Sequence, residues 1–212
     1  MDIAVALVQA YLHINGYFTV AEYPVMEAAG IGPARSITDL DILAFRFAGA
    51  GHRVIRRAAK NADAPQTDPL LRCPSDRADM IVGEVKEGAA RFNAAMRDPD
   101  VLGVALTRFG CCAPEHLGHA TEQLLSKGTA IMPSGHAIRM IAFGGAPDRP
   151  QPAAVIPIQH VVAYVQAYIR DNWAVLRHAQ IHDPALGLLA LIEKSGAVSP
   201  GPRRPRLPRG QR

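Results

Sequence analysis

Two charges close an otherwise apolar run, Met80-Ile81-Val82-Gly83-Glu84-Val85-Lys86, and this constrains the chain more than any other stretch. In a β-strand, residues i and i+2 point to the same face, so the Glu84 carboxylate and the Lys86 ammonium emerge side by side. A buried or half-buried strand does not accept two charges without partners or a purpose. An acid-x-Lys triplet alone arises by chance about once in a chain of this size. Its information comes from the strand that holds it and from what precedes it. A second strand-like run, Ile37-Thr38-Asp39-Leu40-Asp41-Ile42-Leu43-Ala44-Phe45-Arg46, also carries acids among apolar residues. The competing reading of Glu84 and Lys86 is a strand-end ion pair, worth little energetically if exposed.

Local patterns order the rest of the chain. Ile3 to Ile14 has the spacing of an amphipathic helix, with Asn15-Gly16 as its stop. Tyr17-Phe18-Thr19-Val20 and Tyr23-Pro24-Val25 are rich in β-formers. Gly49 to Arg77, of mixed polarity and with Pro65, Pro69 and Pro74, reads as a long excursion carrying His52, Arg53, Arg56, Arg57 and Lys60. Gly88 to Met96 is expected to be helical, with Arg91 and Arg97 on its polar side. Asp98-Pro99 offers a cap and a first-turn proline for a helix from Val101 to Phe109, and Pro114 opens another that Lys127-Gly128 closes. Strands are expected over Ala130–Met132, Ile138–Phe143 and Ala154–Ile158. The longest helix is expected over Gln159–Ala179, with Val161, Val162, Val165, Tyr168, Ile169, Trp173 and Leu176 on one stripe. A last short helix covers Ala185–Glu193.

At 212 residues and 49% hydrophobic, the chain suits one domain over residues 1–195 (core about 3–143, helical part about 159–194) and a disordered Arg/Pro-rich tail over 196–212. No long uninterrupted apolar run suggests a membrane span, and Met1-Asp2 lacks a basic leader, so a cytoplasmic location is expected. Three cysteines, two of them adjacent, make no disulfide framework. The net charge of +4 falls to −1 once the five arginines of the last ten residues are set aside, so bulk charge does not announce a nucleic-acid partner. Cys111, Cys112, His116 and His119 match no zinc-finger spacing. No glycine-rich phosphate loop is present, and no nucleotide cofactor is expected.

Taken in order, helix, strand, acid-bearing strand, Glu-x-Lys strand, helix and strand, the chain from about Val5 to Phe143 resembles the PD-(D/E)XK nuclease superfamily. The resemblance rests on Thr38-Asp39-Leu40-Asp41-Ile42-Leu43-Ala44, on Ile81-Val82-Gly83-Glu84-Val85-Lys86, and on the entry Tyr11-Leu12-His13-Ile14-Asn15-Gly16-Tyr17-Phe18. It implies an α/β, restriction-endonuclease-like three-layer core, a central mixed sheet flanked by helices, with further helices at the C-terminus. It also implies that Asp41 is the motif's aspartate, Glu84 its second acid and Lys86 its lysine. Two such carboxylates suit Mg²⁺ or Mn²⁺, with the Val85 carbonyl as a further ligand. Lys86 would orient a water or stabilise charge on phosphate. The expected substrate is DNA, Arg91 and Arg97 are candidates to touch its backbone, and a homodimer is compatible with double-strand cutting. Two departures matter. The literal Pro-Asp pair is absent, since Leu40 precedes Asp41, and the first helix offers Gln9 but no glutamate. Glu22, on the following strand, is the candidate to replace that acid. Asp39 is expected to share the face of Asp41 as a strand-entry hydrogen-bonding residue. The missing first-helix glutamate and the near-neutral body support a second class of function, a nuclease-like domain that binds nucleic acid or protein without cleaving.

Overall fold

The structure, a computed structural model, describes residues 2–27, 35–51, 67–110 and 112–196. It is an α/β arrangement around one mixed, curled six-stranded sheet. The strands are β1 (Phe18–Glu27), β2 (Arg35–Arg46), β3 (Asp79–Ala89), β4 (Thr129–Ile131), β5 (Ala137–Gly145) and β6 (Ala154–Pro157). Their spatial order is β1-β2-β3-β5-β4, with β6 parallel to β5 beyond the stretch that β4 occupies. The β1/β2, β2/β3 and β4/β5 pairs are antiparallel, whereas β3 and β5 run parallel. The helices are α1 (Ile3–Ile14), α2 (Pro99–Phe109), α3 (Pro114–Lys127), α4 (Ile158–Asp171), α5 (Trp173–Leu176) and α6 (Pro184–Ser195).

Three helices, α1, α2 and α6, start at an aspartate whose side chain caps them. The Asp2 carboxylate accepts from the Ala4 amide at 2.7 Å, Asp98 caps α2 by bonding the Asp100 amide, and Asp183 bonds the Leu186 amide at the start of α6. Such a cap contributes about 1 kcal/mol. Helix α1 stops at Gly16, whose φ of +85° turns the chain into β1; a Cβ there would lie 2.7 Å from the Gly51 amide nitrogen.

The sheet is buried on both faces, which is why β3 reads as a nearly continuous apolar run. On one face Leu43, Val82 and Met140 pack with Leu102 and Leu106 of α2 and Leu124 of α3. On the other, Ile42, Ile81 and Ile141 pack with Val8 and Leu12 of α1 and with Val161, Val165 and Ile169 of α4. Fully burying such a side chain contributes about 1.5–3 kcal/mol. The strand in the middle therefore anchors both cores, and the charges at its end sit on a rigid support.

Several expectations are corrected. The two short runs around Tyr17–Val25 form one strand, β1, and Pro24 is tolerated because β1 lies at the sheet edge. Gly88–Met96 is not a helix. β3 continues to Ala89, the Ala90 amide bonds the Gly145 carbonyl at 3.2 Å, and only a single 3-10 turn, Ala95–Arg97, follows. Pairing with β5 overrides the local pattern there, and the closeness is real: a Cβ on Gly144 would sit 3.0 Å from the Ala90 Cα. The long helix breaks at Asn172, whose side chain bonds the Tyr168 carbonyl at 2.7 Å, leaving α4 and the four-residue α5. Part of the Gly49–Arg77 excursion is a 3-10 turn at Pro69–Leu71. His52, Arg53, Arg56, Arg57 and Lys60, together with Cys111 and the Arg/Pro tail from residue 197, lie outside the described residues. Among the described residues, no helix is long and apolar enough to cross a membrane.

Candidate functional site

The strand register brings the sequence-selected acids to one rung. Pairing of Ala21 with Ile42 and of Tyr23 with Leu40 leaves Glu22 opposite Asp41. The β2/β3 ladder runs to Ile42 opposite Gly83, so the next rung would set Asp41 against Glu84. There the backbone ladder gives way to a side chain: the Val85 amide donates to Asp41 Oδ2 at 2.8 Å. Glu22, Asp41 and Glu84 thus come from three adjacent strands at one level of the sheet.

The same rung inverts the side-chain alternation of β1 and β2. Ala21 and Ile42 belong to the core under α1 and α4, yet Tyr23 and Leu40, each two residues away, belong to the core under α2 and α3. In a regular strand, residues two apart share a face. On β1 the inversion coincides with a backbone feature: Glu22 has a φ of +51°, the left-handed region, which costs a non-glycine residue about 1–2 kcal/mol. Such strain persists only where surrounding structure imposes it, and here it coincides with the three carboxylates.

Glu84 is fully buried, and its two oxygens are unequally served. Oε1 accepts from Lys86 Nζ at 2.5 Å and from Asn93 Nδ2 at 3.0 Å, while Oε2 is buried with no hydrogen-bond partner among the described residues. Lys86 Nζ also lies 3.9 Å from Asp41 Oδ2. Burial pushes the Glu84 carboxyl above its usual range; Lys86 and Asn93 oppose the rise and the Asp41 charge adds to it. Asp41 is likewise raised, first by burial, against the Val85 amide and Lys86, and further by Asp2 and Glu22. Glu22 Oε1 accepts from the Asp2 amide at 2.9 Å, so the start of α1 is tied to this corner. One ammonium therefore faces one buried and one half-buried carboxylate, with two more acids close by. Side-chain exposures of 22% for Asp41 and 36% for Lys86 leave them as the open side of an otherwise closed site.

The donor set is hard oxygen, and the orphaned Oε2 of Glu84 is the kind of group a cation satisfies. Among the described residues, no group of three or more His, Cys, Asp or Glu side chains could hold a metal ion, so Asp41 and Glu84 stand as a pair. Other expected residues fall elsewhere. Asp39 is exposed and is not among the charges acting on Asp41. Arg91 is exposed and faces Asp148 at 3.9 Å, while Arg97 lines a separate cavity of about 390 Å³ with Phe92 and Gln151. His119 bonds Gln123. Asn93 was not legible as a site residue. Its only signal is as a cap, since its Oδ1 accepts from the Met96 amide at 2.8 Å.

The opposite end of β3 holds a second buried polar cluster that sequence reading missed. Asp79 is fully buried, paired with Arg139 at 2.5 and 2.9 Å, and accepts from the Tyr17 hydroxyl. Arg139 also donates to the Leu71 carbonyl at 2.8 Å. Nearby, the buried Asp68 receives the Tyr11 hydroxyl at 2.7 Å, His160 Nε2 at 2.5 Å and the Leu70 amide at 2.9 Å; its own amide bonds Asn15 Oδ1 at 2.6 Å. Burial and Asp68 drive the Tyr11 phenol upward, and burial followed by the Asp68 charge pushes Tyr164 up to about 12. These partners link α1, the 67–77 segment, β3, β5 and α4, which is a structural role. No protein-family model matches the chain, and no curated protein or solved structure matches it either.

Proposed function

We propose that the chain is a metal-dependent nuclease of the PD-(D/E)XK type, with a restriction-endonuclease-like fold, hydrolysing DNA phosphodiester bonds at Asp41, Glu84 and Lys86. One observation carries the reading: a fully buried glutamate, one oxygen of which has no partner among the described residues, stands on the rung of a half-buried carboxylate, with one lysine between them. A structural ion pair would satisfy its acceptors, whereas this one leaves capacity for a ligand. The mixed sheet with helices on both faces is compatible with that fold.

Asp41 and Glu84 would hold Mg²⁺ or Mn²⁺, joined by the Val85 carbonyl; among the described residues Glu22, opposite Asp41 on β1, does not group with them as a third carboxylate ligand. When bound, the ion supplies Lewis acidity and a water that deprotonates near neutral pH. Lys86, at the open side, stabilises the charge that builds on the phosphate as water oxygen bonds phosphorus and the opposite P–O bond breaks. Asn93 positions Glu84 by holding Oε1. Hydrolysis consumes one water and needs no other co-reactant.

The test is cleavage of single-stranded, double-stranded and branched DNA in Mg²⁺ or Mn²⁺. Lys86→Ala and Asp41→Asn are expected to lose at least about 100-fold in rate, the scale of removing one charge-stabilising group. Equal rates in all three proteins defeat the assignment. A second reading, a nuclease-like binding module, draws on the Lys86 contact that already occupies Glu84 Oε1. No calorimetric response to either ion, alongside retained DNA or protein binding, selects it.

A further inference from the structure

A cavity of about 870 Å³ opens at the other end of the β1–β2 edge, beside Arg108 and Phe109 at the end of α2 and the turn Ser134–His136. Leu43, Phe45 and Met80 line it from the sheet, with Val20 and Phe47 at its mouth. The volume falls within the range of small-molecule and base-sized pockets. Its rim is aromatic and exposed. Phe47 is 62% and Phe18 68% exposed; the Phe45 and Phe47 rings meet edge to face at 4.9 Å, and those of Phe18 and Phe47 at 6.5 Å. Exposed large apolar groups gathered at one cleft mark a binding surface rather than ordinary surface scatter.

Arg108 lies over the Tyr23 ring at 5.4 Å, Arg77 is paired with Asp76 at 2.7 Å, and His136 has a buried Nε2 with no partner among the described residues while its Nδ1 meets Ser134 Oγ at 2.8 Å. Asp76 offsets Arg77 and burial disfavours a charge on His136, so Arg108 is the cation that favours an anionic ligand with a flat, apolar part. Position adds the decisive point. Val20 in the cleft and Glu22 on the carboxylate rung are two residues apart on the exposed edge strand, about 7 Å at the rise of a β-strand. Phe45 and Phe47 of the cleft lie four and six residues from Asp41, about 13 and 20 Å at that rise, so a single strand several nucleotides long, rather than one nucleotide, spans the cleft and the rung.

We propose that this cleft seats an unpaired nucleobase, and hence that the substrate of the Asp41–Glu84–Lys86 site is single-stranded nucleic acid. The inference rests on the nuclease reading for the role of the rung, but the binding itself does not require cleavage. The base stacks on Phe47 and Phe45, and Arg108 contacts the backbone. Every base has a π-face, so binding tolerates any sequence and is strongest for a strand whose bases are free. A duplex cannot enter, because its bases are already stacked and paired.

The experiment measures fluorescence anisotropy of a labelled oligothymidylate and of a blunt duplex of equal length, in EDTA, with the full chain. Wild type is expected to prefer the single strand at least about tenfold; Phe47→Ala loses about tenfold in affinity, and Arg108→Ala reduces the salt slope by about one. Equal binding of duplex and single strand, or no effect of Phe47→Ala, overturns the proposal even if cleavage is observed. Single-strand binding that depends on Phe47 without any cleavage by wild type refutes the catalytic reading and leaves the cleft assigned. If the aromatic edge instead joins two copies of the chain, Phe47→Ala lowers the sedimentation mass and leaves oligothymidylate binding unchanged, which also overturns it.

Discussion

Strand β3 carries one fully buried carboxylate at its start and another at its middle, and the two are served differently. Asp79 has Arg139 on both oxygens and the Tyr17 hydroxyl as well. Glu84, five residues on, has Lys86 and Asn93 on one oxygen and, among the described residues, no partner on the other. Burial alone penalises both charges; the difference lies in the partners. At the Asp79 end a guanidinium and a phenol tie several elements together. At Glu84 one flexible, part-exposed lysine is shared with Asp41, and the adjacent backbone is strained at Glu22. A saturated buried acid maintains a fold, whereas an undersaturated one on a strained rung stores free energy that a ligand can release.

Stability measurements separate the two sites. Asp79→Asn leaves Arg139 buried without its counter-charge, and a loss of about 3–5 kcal/mol is expected in urea unfolding. A loss under about 1 kcal/mol would erase the distinction between the sites. Glu84→Gln removes a poorly paired buried charge, so the metal-free protein should be unchanged or more stable by about 1 kcal/mol. If Glu84→Gln instead costs as much as Asp79→Asn, Glu84 is a structural ion-pair residue and the functional reading of the rung fails.

The smallest effect concerns pH at the Asp79 end, where His136 immediately precedes Ala137, the β5 partner of Asp79. Burial holds the His136 imidazole below its usual value of 6.5. A depressed folded-state value means that the unfolded chain takes up the proton first. Stability from this group is complete above pH 6.5 and declines as pH falls from there through the folded-state value. His136→Gln should flatten this part of the stability–pH curve, and an unchanged slope would show that His136 titrates as it does in the unfolded chain.

Much of the sheet was legible because local signals and tertiary pairing agree. The alternation of Thr38–Phe45, the apolar run before Glu84 and the Asp98-Pro99 cap all name elements that form. Legibility failed where long-range pairing overruled local preference. Gly88–Ala89 extends a strand because β5 lies beside it, and Asn172 breaks the long helix through a single side-chain bond to a backbone carbonyl. Of the site, Asp41, Glu84 and Lys86 could be chosen from spacing, and Glu22 as a substitute acid. Asn93 could not, because its reach to Glu84 depends on the turn that follows β3. Arg91 and Arg97 were chosen by proximity in the chain, which says little once β3 continues past Gly88.

By itself, the sequence determined which residue types occupy which strands: alternation and caps are local, so an acid within an apolar strand is visible without any structure. It also determined that Glu84 and Lys86 share a side of β3, because a period of two needs no partner. The tertiary structure alone decided that Glu22, Asp41 and Glu84 fall on one rung, since register depends on how separate strands pair. It likewise decided that one oxygen of Glu84 is buried with no partner among the described residues, and that Phe18, Phe45 and Phe47 gather beside two arginines. Those are properties of distance and solvent access, and neither is written in spacing along a chain.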